Sequence, residues 1–355
     1  MTKGSLTSQN PDNALTAMSW WCLLSDASWI AHPSLRKMSD QAVPLSSGYH
    51  MPLLGLGCWQ SPPGEVELAV EAALDAGYRH IDTAFIYQNE EAVGFGLHKW
   101  LQKTGTKRSE VFVVTKLPMI GMYSSGVEKF LKKSLAMLKL DYVDLYLIHM
   151  PVGMKGKHDQ DIFPVNDDGM LNVDYATDII TVWKEMEKMV DMGLTKSIGV
   201  SNYSIKQLKK TNAIARIQPS VHQVELNVYF QQQEMQEFCH AHNIILTAYA
   251  PLGSPGRESN ESLPRLLEDP IVNLVAERHG ITPAQVLIRF LIQQNITTIP
   301  KSINPERIKI NGDVWKFSLS ELEMTALKTL DRGKSGRSFI ISTFKGMADH
   351  PECPF

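Results

Sequence analysis

The sequence is poor in cysteine. Its four thiols, Cys22, Cys58, Cys239 and Cys353, are scattered and form no CxxC pair. That excludes a disulfide framework and fits free thiols in a reducing compartment. Charge of one sign is also lacking: 35 Lys and Arg against 38 Asp and Glu leave a formal net charge of −3. Such a balance makes no case for nucleic acid or an anionic membrane surface. No HExxH occurs, and "HQVE" has no second histidine, so no metal site is expected. No GxGxxG follows a strand-like run, which removes the Rossmann mode of dinucleotide binding. Nor is there a long apolar run. "AMSWWCLLSDASWIA" is interrupted by Asp26 and serines, too short and polar for a membrane span and poor as a signal peptide. Residues 1–42 therefore read as a poorly ordered N-terminal extension on a cytosolic protein, with one domain over 43–355.

What is there is regular. The remaining composition, 43% hydrophobic and 21% charged, is that of an ordinary globular chain. After a turn-like "LSSGYHMP", short Val/Ile/Leu-rich segments alternate with stretches of helical spacing. The expected strands are "LLGLG", "RHIDTA", "EVFVVTKL", "YVDLYLIH", "TKSIGVSN", "SVHQVEL", "IILTAYAPL" and "ITTIPKS". Strands buried on both faces and separated by helices pair in parallel. Eight such units in about 290 residues predict an α/β fold, a closed (β/α)8 TIM barrel, with a doubly wound sheet as the alternative. Two long connections, 150–177 and 253–269, follow strand C-termini. They predict long loops at the mouth, and the tail after Leu330 is placed over it.

One segment raises a chemical question. "GYRHIDTAFIYQNE" carries Asp82 at the end of a strand and Tyr87 five residues later. A buried carboxylate is costly unless paired. Lys116, at the end of the next strand in "VVTKL", is the expected partner. A barrel gathers these strand ends onto one face together with His149, Ser201, Asn202, Gln223, Tyr249 and Lys301. The phenol beside an ammonium is expected to have a lowered pKa. With His149 orienting an oxygen, that set suits protonation of an oxygen gaining negative charge. Taken singly, each residue has a plain reading: a loop cap, a structural histidine, a packing aromatic. The argument rests on their coincidence on neighbouring strands.

These motifs closely resemble those of the aldo-keto reductase family over roughly residues 43–350. "GYRHIDTAFIYQNE", "VVTKL" and "DLYLIH" match its catalytic segments; "IGVSNY", "HQVELN", "TAYAPLGSP" and "IPKSINPERI" match its cofactor segments. The resemblance implies reversible NADPH-dependent reduction of an aldehyde or ketone, with Tyr87 as general acid, Asp82 and Lys116 tuning it, and His149 orienting the carbonyl. It implies that Ser201, Asn202 and Gln223 hold the nicotinamide carboxamide and that Tyr249 stacks on the ring. Lys301, Ser302, Asn304 and Arg307 would hold the 2′-phosphate, for which a forked guanidinium is suited. Gly57, Cys58, Trp59, Leu252, Ser254 and Asn311 would complete the cofactor contacts. Trp59, Tyr87, His149 and Met150 would meet a small carbonyl substrate. No metal is implied, and a monomer is expected.

Departures from the family pattern are Cys58 for a threonine, Met150 for an aromatic residue and Ile310 for a glutamate. Gln60 and Gly256 stand where many members have a lysine–aspartate clamp, which predicts faster release of NADP+, with Arg257 a partial substitute. The tail carries no obvious anchor for an acidic substrate, so apolar carbonyl compounds are expected. A likeness to the insect branch that includes 3-dehydroecdysone reductases makes a steroid ketone a candidate. The competing expectations are an NADPH-binding barrel with a regulatory role and, with less support, a hydrolase.

Overall fold

The computed structural model describes residues 41–256, 265–339 and 345–354. The expected extension thus lies outside the described residues except for its last two positions, as does Arg257. The described chain begins with a hairpin of β1 (Ala42–Pro44) and β2 (His50–Pro52), paired antiparallel. The barrel strands follow as β3 (Leu56–Gly57), β4 (His80–Asp82), β5 (Phe112–Leu117) and β6 (Val143–Ile148). A small antiparallel ladder, β7 (Gly153–Met154) with β8 (Val173–Asp174), occupies the long connection after β6. The barrel resumes with β9 (Thr195–Ser201), β10 (Val221–Glu225), β11 (Ile245–Tyr249) and β12 (Thr297–Thr298).

The eight barrel strands form one sheet with neighbouring pairs parallel. The first and last strands meet through parallel bridges, Leu54 with Thr298 and Gly57 with Lys301. Hydrogen bonds cross this seam from Gly55 N–H to Thr298 O (2.9 Å) and from Thr298 N–H to Leu53 O (2.8 Å). Glycine is required at position 57, because a Cβ there would lie 2.7 Å from the Ile299 carbonyl oxygen. The sheet is a closed (β/α)8 barrel, and the doubly wound alternative is excluded.

Around it run α1 (Pro63–Asp75), α2 (Glu90–Thr104), α3 (Ser124–Leu138), α4 (Ile179–Asp191) and α5 (Ile205–Ile214). They are followed by α6 (Gln233–Ala241), α7 (Pro270–His279), α8 (Pro283–Ile292), α9 (Pro305–Gly312) and α10 (Glu321–Lys328). Several starts are written in the sequence. Ser204 with Gln207, Thr282 with Gln285 and Ser320 with Glu323 form capping boxes. On α4, Ile179, Val182, Trp183 and Met186 repeat at helical spacing and are buried against the sheet. The strands alternate as required: on β5, Thr115 points out to Glu90 on α2, while Lys116 points into the barrel toward Asp82.

Two local readings differ from expectation. "LSSGYHMP" is the loop and second strand of the hairpin, not a simple turn. Val43, Leu45 and Met51 are buried, and Ser46 and Ser47 meet the hydroxyls of Ser220 and Ser197 at 2.9 and 2.7 Å. Those serines lie near the starts of β10 and β9, so the hairpin plugs the N-terminal end of the barrel. Residues 305–312 form a helix that the periodicity left unassigned. Asn304 caps it by accepting from Arg307 N–H at 3.0 Å, and Pro305 fills the first helical position. The tail crosses the opposite end. Met347 is fully buried, His350 donates to Asp174 O at 2.9 Å, and Glu352 pairs with Lys210 at 2.6 Å.

Candidate active site

A cavity of about 540 Å³ opens at the C-terminal ends of the barrel strands. Asp82 lies at its floor, with Lys116 buried beneath; the two side chains are 1% and 0% exposed. The lysine uses all three protons. It donates to Asp82 Oδ1 at 2.5 Å and to Thr83 O at 2.9 Å, and lies 3.5 Å from the Tyr87 hydroxyl. Gln223 donates from Nε2 to the other Asp82 oxygen at 2.8 Å. Thus a buried carboxylate is satisfied by one cation and one amide, which resolves the question posed by "HIDTAFIY". Tyr87 projects from a single 3-10 turn, Phe85–Tyr87, whose end is made by Gln88 at φ 54°.

The expected direction of the Tyr87 pKa is corrected by this geometry. Burial, then the Asp82 carboxylate, hold the phenol well above its ordinary value. The Lys116 charge is matched by Asp82 at 2.5 Å and stands a full ångström farther from the phenol. Tyr87 is therefore a protonated hydroxyl, with an ammonium next to it that can stabilise the phenolate once the proton has gone. His149 meets the Tyr87 ring edge-on, centroids 5.7 Å apart. Burial and the nearby Lys116 push its imidazole well below the ordinary value, so it is neutral. Its Nδ1 is buried with no partner among the described residues. Nε2 is not enclosed in this way and His149 lines the cavity, so we assign the proton to Nε2, where a ligand can accept it.

Above the floor lie the amide-bearing ends of β9 to β11. Asn202, at φ 59°, donates from Nδ2 to His149 O (3.0 Å) and accepts from the Tyr249 hydroxyl at 2.9 Å. Gly57, Cys58, Trp59, Ser201, Tyr249, Leu252 and Ser254 line the same cavity. At its far end Lys301, Ser302, Asn304 and Arg307 gather at the start of α9. Asn311 does not reach the cavity; it is buried within α9. The loop after β6 and the tail, both expected at the mouth, supply Phe163 and Phe339, though neither residue was singled out; sequence reasoning missed the walls supplied by Ile86, Met119 and Ile299. It also missed Asn89, which donates to Cys58 O at 2.9 Å and Ser61 O at 3.0 Å, tying the Tyr87 loop to the β3 loop. Its only signal was an asparagine just before a helix.

The family model for the aldo/keto reductase family matches residues 53–332. The chain belongs to the aldo-keto reductase family. It is 44% identical over 319 residues to aldo-keto reductase family 1 member A1 of Xenopus tropicalis, covering 88% of this chain and 96% of the relative. The mouse member of that name is 41% identical over 326 residues, with 90% and 99% covered. The aldose reductase structure from Schistosoma japonicum superposes with a TM-score of 0.81 at 39% identity, covering 88% of this chain and 98% of that one. As an aldo-keto reductase the chain is an NADP-dependent oxidoreductase acting on carbonyl and alcohol groups. Among the described residues no helix is long and apolar enough to cross a membrane.

The departures from the family pattern now have positions. Cys58 is fully buried and its thiol is pushed far up by burial, so it is an inert small side chain. Met150 forms buried cavity wall. Gln60, at φ 51°, and Gly256 both line the cavity. Ile310 is 40% exposed on α9.

Proposed function

We propose that the protein reduces apolar aldehydes or ketones with NADPH, Tyr87 donating the proton to the carbonyl oxygen. The observation that carries this reading is the Tyr87–Lys116–Asp82 chain meeting neutral His149 on one cavity floor. The residues present fit a nicotinamide dinucleotide. Ser201, Asn202 and Gln223 offer hydroxyl and amide groups, Tyr249 offers a ring face, and a cationic cluster lies at the far end where a 2′-phosphate would be met. That cluster favours NADPH over NADH. Held by these residues, a nicotinamide would supply the hydride for the carbonyl carbon.

The chain supplies the rest. His149 Nε2–H orients the carbonyl oxygen toward Tyr87. The phenol, kept protonated by burial, donates as negative charge develops on that oxygen. Lys116 stabilises the phenolate left behind, and Asp82 with Gln223 keeps the ammonium in place. Apolar walls from Trp59, Met119 and Phe163 support an apolar substrate, with a steroid ketone as one candidate class.

The test is oxidation of NADPH at 340 nm with a sugar, an aromatic aldehyde, an enal and a 3-ketosteroid, beside Tyr87→Phe. Turnover that disappears in the variant is expected. NADPH binding without turnover of any carbonyl would refute the reading and favour a binding barrel.

A further inference from the structure

The tail is fastened to the barrel by a carboxylate that the reduction chemistry does not use. Glu225 closes β10, two residues beyond Gln223, and is buried. Its Oε1 accepts from Ser338 N–H at 2.6 Å and its Oε2 from Phe339 N–H at 3.0 Å. Two successive backbone amides are thus gripped by the two oxygens of one side chain on a rigid strand.

The chain leading to this grip is threaded as closely. Asp331 accepts from Gln231 N–H at 3.1 Å, and Arg332 N–H donates to Tyr229 O at 2.8 Å. The Arg332 guanidinium lies over the Tyr229 ring at 4.0 Å. At Gly336 a Cβ would fall 1.9 Å from the Tyr229 carbonyl oxygen, so only glycine passes. The loop that does the holding is itself braced. Asn227 Oδ1 accepts from Tyr229 and Phe230 N–H, and the Tyr229 hydroxyl donates to Asp269 at 2.7 Å.

The purpose of the grip lies in the second of these two residues. The Phe339 ring lines the cavity and meets Trp59 and Tyr249 edge-on, with centroids 5.5 and 5.4 Å away. We infer that Glu225 is a positioning residue for substrate selection: it fixes Phe339 as a wall of the carbonyl pocket and so sets the preference for bulky apolar carbonyl compounds over small ones. This rests on the reading of the cavity given above. A wall already ordered offers apolar contact without having to be immobilised when substrate binds. A large hydrophobic carbonyl compound reaches that wall, whereas a small aldehyde held at Tyr87 does not. In Glu225→Gln one oxygen still accepts, but the amide N–H2 faces the second backbone N–H, and the grip is lost.

The test compares kcat/KM for propanal and a nonenal in the parent, Glu225→Gln, Phe339→Ala and the double variant. Amide exchange at Ser338 and Phe339 is followed by mass spectrometry. Each single variant is expected to lower the nonenal-to-propanal ratio roughly tenfold, and the double no further than Phe339→Ala alone, because Glu225 acts through Phe339. Both amides are expected to exchange faster in Glu225→Gln. Additive losses, or an unchanged ratio, would overturn the selection role. Exchange is read without turnover, so unchanged exchange in Glu225→Gln would overturn the grip itself. A parent that reduces neither aldehyde would overturn the carbonyl reading underneath. Glu225→Asp, which keeps the charge one methylene shorter, is the companion if the glutamine variant does not fold; it too is expected to lower the ratio and speed exchange, and normal behaviour would count against the proposal.

Discussion

Removing the ammonium from beneath the cavity floor separates what Lys116 does for folding from what it does for chemistry. The side chain is fully buried, and its nitrogen lies 2.5 Å from an equally buried carboxylate. In Lys116→Met an unbranched stem of similar length keeps much of the packing while the charge goes. Asp82 is then left with one hydrogen bond from Gln223 and no cation. Breaking a buried pair from one side costs about 3–5 kcal/mol, because the desolvation of the remaining ion is no longer offset. Asp82→Asn combined with Lys116→Met removes both charges, so most of that loss should return, leaving a deficit of about 1–2 kcal/mol for imperfect amide bonding. Neither variant is expected to turn over. Urea unfolding followed by tryptophan fluorescence, with Trp183 fully buried as a reporter, measures the first effect; aldehyde-dependent NADPH oxidation measures the second. A single variant within about 1 kcal/mol of the parent, or a double variant worse than either single, would refute the claim that the floor is held by a buried ion pair.

Glu90, buried between α2 and α3 with hydrogen bonds from Thr115 and Ser134, is pushed up by burial to about 7 from an ordinary 4.5. A carboxyl raised in the folded state contributes stability that is fully present below about pH 4.5 and lost as pH rises through 7. Glu90→Gln should therefore flatten unfolding free energy across that window and gain about 3 kcal/mol at pH 8, measured by urea titration at several pH values. Arg307→Ala should raise KM for NADPH roughly 10–100-fold and leave KM for NADH unchanged; an equal rise for both would place Arg307 away from the 2′-phosphate. Gly336→Ala forces the chain off the Tyr229 carbonyl. It should accelerate proteolysis of the tail while the midpoint of barrel unfolding moves little, and a tail as resistant as the parent's would contradict the close approach.

The barrel was legible because its strands are short, apolar on both faces and regularly spaced, and because strand order fixes which ends meet. Asp82, Lys116 and His149 could be brought together on that basis alone. The direction of the Tyr87 pKa could not. It depends on how completely the phenol is enclosed and on how closely Asp82 cancels its neighbour, and neither is written in spacing. The helix at 305–312 escaped because eight residues hold barely two turns of periodicity, although Asn304 and Pro305 announced its start. The hairpin at 42–52 escaped because its strands are three residues each and its loop is polar. Nothing within the expected strand "SVHQVEL" marks Glu225, since the amides it grips lie 113 and 114 positions later.

The seam between β3 and β12 has a consequence for how the molecule is made. Leu54 and Thr298, which meet across it, leave the ribosome far apart in time. At about 5–20 residues per second the interval is roughly 12–50 s. Throughout it the first barrel strand has one edge whose native neighbour does not yet exist, and an unpaired parallel edge is a template for the wrong chain. That strand is only two residues long, too short to recruit a stranger firmly. The brevity that makes the seam look weak in the finished barrel protects the half-made one.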